Sequence, residues 1–389
     1  MKTYLNILEE NRAFAEETFT KIDKKLTAMT ERSWDKLPDG VDENGMHVEK
    51  SVTWWTNGFW GGLNHLMYDY TKKECYLKTA LRSEEKLDEA LLKFDELHHD
   101  VGFMWHILSG ANYRLRGDRG SRTRNLYVAA TLASRYVLEG DFIRAWNAWG
   151  SDPKQNYNLS IIDCLMNLPL LYWASEQVRD DRFTRIAMAH ADMAMRDHLR
   201  PDGSVNHIVE HDRDTGAFVA AHGGQGMAPD SCWSRGAAWA LYGFTLSYMH
   251  TGEERYLTAA KQVANYFIAN VCDDWLPRVD FRAPAEPVMY DSSAGACAAC
   301  GLIELAKLLP ENEGGAYMHA AVQMMRAMTE KFCNWDENND HMLDYGTVRY
   351  PVNGDWKAAQ VHVSIIYSDY FFTEAILKLL GYEFNPWMK

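Results

Sequence analysis

WSRGAAWALYGFTLSYMHTGEERYLTAAKQVANYFIANV, from Trp233 to Val271, is the stretch whose reading decides the fold. Its first half is rich in small and aromatic residues and offers no polar stripe, the pattern of a helix enclosed on all sides. A polar turn at His250-Thr251-Gly252-Glu253 follows, and then a second helix with apolar residues at three- and four-residue spacing, the pattern of a helix with one buried face. The same unit returns from Asp163 to Leu199, from Gly58 to Leu87, from Gly102 through NYRLRGDRGSRTRNLYVAATLASRYV, from Ser293 through AKLLPENEGGAYMHAAVQMMRAMTEKF, and finally from Ser368 with DYFFTEAILKLLGY. Six units with irregular spacing exclude a short-period solenoid and fit helical hairpins with variable loops. The expectation is an all-α protein, an α/α six-barrel with small-residue helices in an inner ring and amphipathic helices outside.

Around these units, Asn6 to Thr30 reads as an amphipathic helix, Ser33 to Glu49 as a polar connection, and Ser204 to Val219 as a short β-hairpin on a loop. There is no interdomain linker, so residues 1–389 read as one domain. With 47% hydrophobic and 24% charged residues, the chain has ample core. Its net charge of -14 argues against nucleic acid, whose binding needs basic surface. No run approaches the roughly 18 apolar residues of a membrane span, and Met1 to Leu26 lacks the apolar core of a signal peptide. Seven cysteines, an odd number, do not make a disulfide framework and suit a reducing compartment, so a cytoplasmic protein is expected, as a monomer or weak homo-oligomer. The 14 Trp, 20 Tyr and 15 Phe are unusual in number, and many of the Trp adjoin polar residues and Gly, where sugar rings pack.

NYNLSIIDCLMNLPLLYWAS, Asn156 to Ser175, is apolar over most of its length and carries a single carboxylate, Asp163, in the run Ile161 to Met166. A carboxylate among such neighbours is either a helix cap or a group whose pKa is raised for proton transfer, because burying it charged and unpaired costs several kcal/mol. Other acids stand near the starts of inner helices: Asp100, Asp230, Asp291 and Asp369. N-capping is the simple reading for the last three. Asp100 lies in His98-His99-Asp100-Val101-Gly102 and, with Asp163, offers the paired carboxylates that glycosidic chemistry uses. In HGGQGMAPDSCWSRGAAW, Gln225 lies on a glycine-rich loop and Arg235 opens a helix beside Trp233 and Trp239. Arg235 either stacks on an aromatic ring and holds an anionic group, or pairs with a helix-start Asp.

His207 and His211 have zinc-like i, i+4 spacing, but Pro201, Gly203 and Gly216 argue against a helix there; His207 is expected to donate hydrogen bonds in a cleft, neutral or cationic. Cys297 and Cys300 form a CxxC pattern in an Ala- and Gly-rich inner helix, which points to packing. There is no Walker loop, GxGxxG or GxSxG motif, so neither a cofactor nor a metal is expected.

HHDVGF, NYNLSIIDCLMNLPLLYWAS, the Gln225 loop and WSRGAAWALYGF resemble, in order and spacing, the unsaturated glucuronyl hydrolases of glycoside hydrolase family 88, over roughly Ser51 to Leu380. The resemblance implies an exo-acting enzyme that releases 4,5-unsaturated glucuronic acid from the non-reducing end of lyase-generated oligosaccharides of glycosaminoglycan type by hydrating the C4=C5 bond. It implies Asp163 as general acid and base and Asp100 as the second catalytic acid. Trp54, His99, His207, Gln225, Trp233, Arg235 and Trp239 would bind the sugar, with Arg235 and His207 supplying a cationic environment. The family's Ser- and Lys-containing sulfate motif is not matched by GTVRYPVNGDWKAAQ, Gly346 to Gln360, which has Arg349 and Lys357 but no serine. Unsaturated rhamnogalacturonyl hydrolases share the barrel and are a nearby alternative. A sugar 2-epimerase, which would leave Asp163 merely structural, and a non-catalytic carbohydrate-binding protein are the alternatives of other classes.

Overall fold

In the computed structural model, which describes residues 2–148, 155–271 and 273–388, the Thr3 hydroxyl accepts the Asn6 N–H and sets the start of α1 (Tyr4–Ser33). The helix is longer at both ends than its apolar period foretold. It turns Ile7, Ala15, Ile22, Leu26 and Met29 inward. The polar connection after it carries a small antiparallel ladder, β1 (Pro38–Val41) with β2 (His47–Glu49). Hairpins then follow in order. α2 (Phe59–Thr71) leads to α3 (Glu74–Leu87). A π-helix, Gly102–Gly110, runs into α4 (Ala111–Arg116) and is followed by α5 (Arg119–Ala133). A 3-10 turn, Ile162–Asn167, runs into α6 (Leu168–Val178), followed by α7 (Arg182–Met193). α8 (Ser234–Thr251) leads to α9 (Glu254–Asn270), and α10 (Ser292–Leu308) to α11 (Glu311–Lys331). After a one-turn helix α12 (Trp356–Ala359) comes α13 (Ile366–Leu379).

Contacts close the inner ring in chain order: α2, the π-helix, the 3-10 turn with α6, α8, α10, α13 and back to α2. α13 and most of α10 are buried on every side, whereas α3, α7 and α9 bury one stripe. Small residues let the inner helices approach: a Cβ on Gly243 of α8 would stand 2.5 Å from Leu165 Cβ. Cys297 and Cys300 on α10 are buried for the same reason, and the six described cysteines are free thiols. Five helices of the outer ring follow their inner partners directly. The sixth is α1, which packs on α13 and α11, so the unit that begins with the last helix is completed by the first. Buried Lys25 of α1 donates to the carbonyls of Asp336 and Asn339 and to the Asn339 side chain, and Arg32 pairs with buried Asp340, fastening α1 to the loop before α13. The architecture is the α/α six-barrel.

The loops over one mouth of the barrel carry the remaining strands. β3 (Tyr136–Val137) pairs with β4 (Phe142–Ile143). β5 (Leu159–Ile161), β6 (Ile208–His211) and β7 (Phe218–His222) make a three-stranded antiparallel sheet. The expected hairpin at Ser204 to Val219 is therefore β6–β7, displaced toward the C-terminus and paired through β6 with the strand that leads to Asp163.

Among the helix-start acids, only Asp291 caps a helix, accepting the Ser293 N–H at the start of α10. Trp233 holds the cap position of α8 and Ile161 that of the 3-10 turn, so Asp230 and Asp163 are not caps. Asp369 lies inside the first turn of α13, where it accepts the Leu343 N–H. No described helix is long and apolar enough to cross a membrane.

Candidate active site

The mouth of the barrel holds a cleft of about 720 Å³. Trp54, His99, Asp100, Asp163 and Gln225 line it, together with Asp39, Lys50, Trp55, His98, Trp146, Arg349 and Tyr367. Strand pairing places the central acid. Leu159–Ile161 pairs with Ile208–Glu210, the Ile162 N–H donates to the His207 carbonyl at 3.0 Å, and the 3-10 turn then aims Asp163 into the cleft. Its side chain keeps 13% exposure, but Oδ1 is sealed from solvent and has no hydrogen-bond partner among the described residues. Burial, reinforced by the nearby Asp100 carboxylate, pushes the Asp163 pKa up to about 7, against the opposing pull of His99 and Arg235.

Asp100 has the same chemistry and the opposite environment. His99 Nε2 stands 3.1 Å from its Oδ1 and His98 Nδ1 3.2 Å from its Oδ2, at ion-pair distance although off the line of a straight hydrogen bond. Burial pulls its pKa upward, but the two imidazoles outweigh it and hold the carboxyl well below the usual range. His99 donates its Nδ1–H to the Ala145 carbonyl at 2.7 Å. Burial works against its charge, yet Asp100 raises its pKa overall. The donor atoms of His98, His99 and Asp100 lie within 4.8 Å of one another, a spacing open to a metal ion.

Asn167 ties the two acids' elements together. Its Oδ1 accepts the Phe103 N–H at 2.9 Å and its Nδ2 reaches the Asp163 carbonyl at 3.4 Å. Gly102 makes this seam possible, since a Cβ there would stand 2.5 Å from Asn167 Oδ1. The π-helical winding begins at this glycine, and such insertions are frequent at functional sites.

The other expected residues divide into two groups. Trp54 and Gln225 reach the cleft. Trp54 donates to Asp39 at 2.7 Å and carries the Lys50 ammonium over its ring at 4.1 Å; Gln225 is pinned by its side-chain bond to the Val348 carbonyl at 2.6 Å. His207, Trp233, Arg235 and Trp239 form a layer behind. Trp233 meets the His207 ring at 4.3 Å and the Arg235 guanidinium at 4.4 Å. Arg235 pairs with Asp291 and also donates to Ser293 Oγ, Thr347 O and Val348 O, so its stacking and its helix-start ion pair are both realised. Trp239 is enclosed among Phe103, Tyr367 and Phe371. Of the neutral and cationic forms expected of His207, the structure favours the neutral one: burial, opposed by the Gly223 carbonyl and aided by Arg235, lowers its pKa to about 3, so it adds no positive charge to the site.

Several lining residues had no sequence signal. Asp39 comes from a strand of four residues, too short for a period, and Trp146 and Tyr367 are converged only by the tertiary fold. Trp55, beside Trp54, was within reach of the aromatic argument.

No family profile matches the chain. The unsaturated glucuronyl hydrolase of Bacillus sp. strain GL1 is 36% identical over 350 residues, covering 89% of this chain and 91% of that one. The unsaturated chondroitin disaccharide hydrolase of Streptococcus pneumoniae is 34% identical, covering 92% and 90%. The crystal structure of the Bacillus sp. GL1 enzyme superposes with a TM-score of 0.87 at 32% identity, covering 94% and 96%. A mutant of the Streptococcus agalactiae unsaturated glucuronyl hydrolase, complexed with dGlcA-GalNAc6S, does so with a TM-score of 0.77 at 27% identity, covering 96% and 92%. With identity of this extent running through the barrel, the chain belongs to the unsaturated glucuronyl hydrolases, a group of glycoside hydrolases.

Proposed function

We propose that this enzyme removes 4,5-unsaturated glucuronic acid from the non-reducing end of glycosaminoglycan-type oligosaccharides left by polysaccharide lyases. The observation that carries the reading is one carboxyl group with a pKa of about 7 facing a cleft beside a second that stays ionised. The C4=C5 bond of the unsaturated ring is an enol ether. Asp163 gives its proton to C4, forming a C–H bond and leaving an oxocarbenium-like centre at C5. The Asp163 carboxylate then takes a proton from water as the oxygen adds to C5, which restores the acid. The resulting hemiketal opens with loss of the remaining saccharide. A carboxyl that ionises near the working pH is suited to both halves of this cycle. Asp100 binds sugar hydroxyls and keeps the Asp163 pKa high by its charge, while Trp54 and Gln225 hold the ring.

Trp233, Arg235 and Trp239 support the floor of this site from behind, and a continuous core from Ile7 to Trp387 supports reading the chain as one catalytic domain. The test follows the ultraviolet absorbance of the conjugated uronate on unsaturated disaccharides from chondroitin, hyaluronan, heparin and rhamnogalacturonan. Decay with the glycosaminoglycan disaccharides is expected. Asp163→Asn, unable to deliver the proton, is expected to lose at least about 100-fold in kcat; near-wild-type turnover would sink the assignment.

A further inference from the structure

The imidazole of His207 is gripped at one edge and open at the other. At Nδ1 it meets two backbone groups of the same loop: the Gln225 N–H at 2.9 Å and the Gly223 carbonyl at 3.2 Å. Only Gly224 between them lets the loop come this close. Its φ is +58°, and a Cβ would stand 2.3 Å from Nδ1. At the other edge, buried Nε2 has no hydrogen-bond partner among the described residues and faces Asp163 Oδ1, equally unpartnered, across 3.6 Å.

A neutral imidazole has one N–H, so the two contacts at Nδ1 are alternatives. The shorter is the Gln225 donor, which requires a lone pair on Nδ1 and puts the proton on Nε2. The facing Oδ1 accepts from the same tautomer, and once Asp163 has given up its proton the bond strengthens, because a donor aimed at a charged oxygen makes the stronger bond. We propose that His207 is the positioning residue of Asp163: the Gln225 backbone fixes it as the Nε2–H tautomer, and its N–H occupies Oδ1 so that the acidic proton of Asp163 resides on Oδ2. Oδ1 is sealed while the side chain as a whole is partly open, so this partition puts the proton on the oxygen that is not walled in. The gap of 3.6 Å closes by a few tenths of an ångström when substrate fills the cleft, as catalytic hydrogen bonds in empty sites commonly do.

The other charged groups facing Asp163 are Asp100, His99 and Arg235, and Arg235 also bears on His207. None of them reaches Oδ1 with a hydrogen bond. An ammonium or imidazolium at this position would hold Asp163 as the anion and block protonation of C4. An imidazole N–H orients the acid without abolishing it.

The inference rests on Asp163 being the proton donor, and its test separates the two claims. In the full-length protein with ¹⁵N-labelled histidine, assigned by comparison with His207→Gln, His207 is expected to show a protonated Nε2 and an unprotonated Nδ1 from pH 5.5 to 8.5, without titrating. A protonated Nδ1 overturns the proposal whatever the enzyme's activity. His207→Phe keeps a flat ring against Trp233 and removes the donor. It is expected to lower kcat roughly 10- to 100-fold, with much less change in KM, and to move the alkaline limb of the pH profile up by about one unit, since the carboxylate loses a donor. An unmoved limb overturns the proposal. His207→Gln, which can still present an N–H to Oδ1, should recover part of kcat; no recovery counts against it. An active Asp163→Asn enzyme would instead refute the reading of Asp163, while leaving the tautomer result to stand by itself.

Discussion

A carboxylic acid that ionises near pH 7 burdens the fold that contains it. In the unfolded chain Asp163 loses its proton near pH 4, whereas in the native state it keeps it to about pH 7. Between those values the native state binds the extra proton, so stability falls as pH rises through the interval. Asp163→Asn removes the ionisation and should be more stable than wild type at pH 8, by up to about 4 kcal/mol, with the difference vanishing near pH 4; thermal melts at the two pH values measure it. Equal melting temperatures at pH 8 would show that the site is wetter than its burial suggests. Arg235 makes the complementary case. Its fork spans Asp291, Ser293, Thr347 and Val348, which the single ammonium of lysine cannot reproduce, so Arg235→Lys should cost about 2 kcal/mol and raise KM by loosening the segment that pins Gln225. Urea titration and steady-state kinetics read the two effects. Asp163 was legible in sequence because a carboxylate in an apolar run is rare. His207 was legible as a hydrogen-bonding residue of the site, but the choice between its neutral and cationic forms was not, because burial and a loop 16 residues away in the chain decide it.

At the scale of elements, the two acids depend on the seam between the π-helix and the 3-10 turn. Gly102→Ala would drive a methyl group to 2.5 Å from Asn167 Oδ1 and 2.8 Å from Asn167 Cα, and Cα cannot rotate away. The expected loss is about 2–3 kcal/mol of stability, together with reduced kcat as the acids separate; calorimetry and the ultraviolet assay on one preparation check both. The helices themselves were readable, since runs of 12 to 30 residues, as in α7 and α1, hold several turns of a 3.6-residue period. Of the strands, only the hairpin β6–β7 was readable, as a loop hairpin between Ser204 and Val219; the others, of two to four residues, cannot establish a period of two. Capping was over-read. An acid near a helix start satisfies a capping pattern, but Asp369 answers to a backbone N–H from another loop, and Asp291 serves both its helix and Arg235. Tertiary partners settled those cases, and sequence spacing does not encode them.

For the whole molecule, the charge of -14 meets a substrate that is itself an anion. Of the cations at or behind the cleft, Lys50 lies 3.0 Å from Asp39 and Arg235 is paired with Asp291. Long-range repulsion should therefore slow substrate capture, and kcat/KM is expected to rise roughly two- to fivefold as ionic strength goes from about 0.01 to 0.15 M, with kcat nearly constant. A monotonic fall would mean that Arg349, at the cleft, dominates the field. The number of hairpins was legible from the repeat of enclosed and amphipathic helices. The way the ring closes was not, because α1 and α13 are neighbours in space with residues 34–365 between them. That pairing sets a clock on biosynthesis. α1 leaves the ribosome early and waits for its partner to be made, which at about 5–20 residues per second takes roughly half a minute. Until α11 and α13 have been made, α1 lacks part of the surface that covers its buried face in the finished barrel. The nascent chain is therefore expected to need chaperones until α13 has been translated, and truncation before Ile366 should yield aggregate in place of a shortened enzyme.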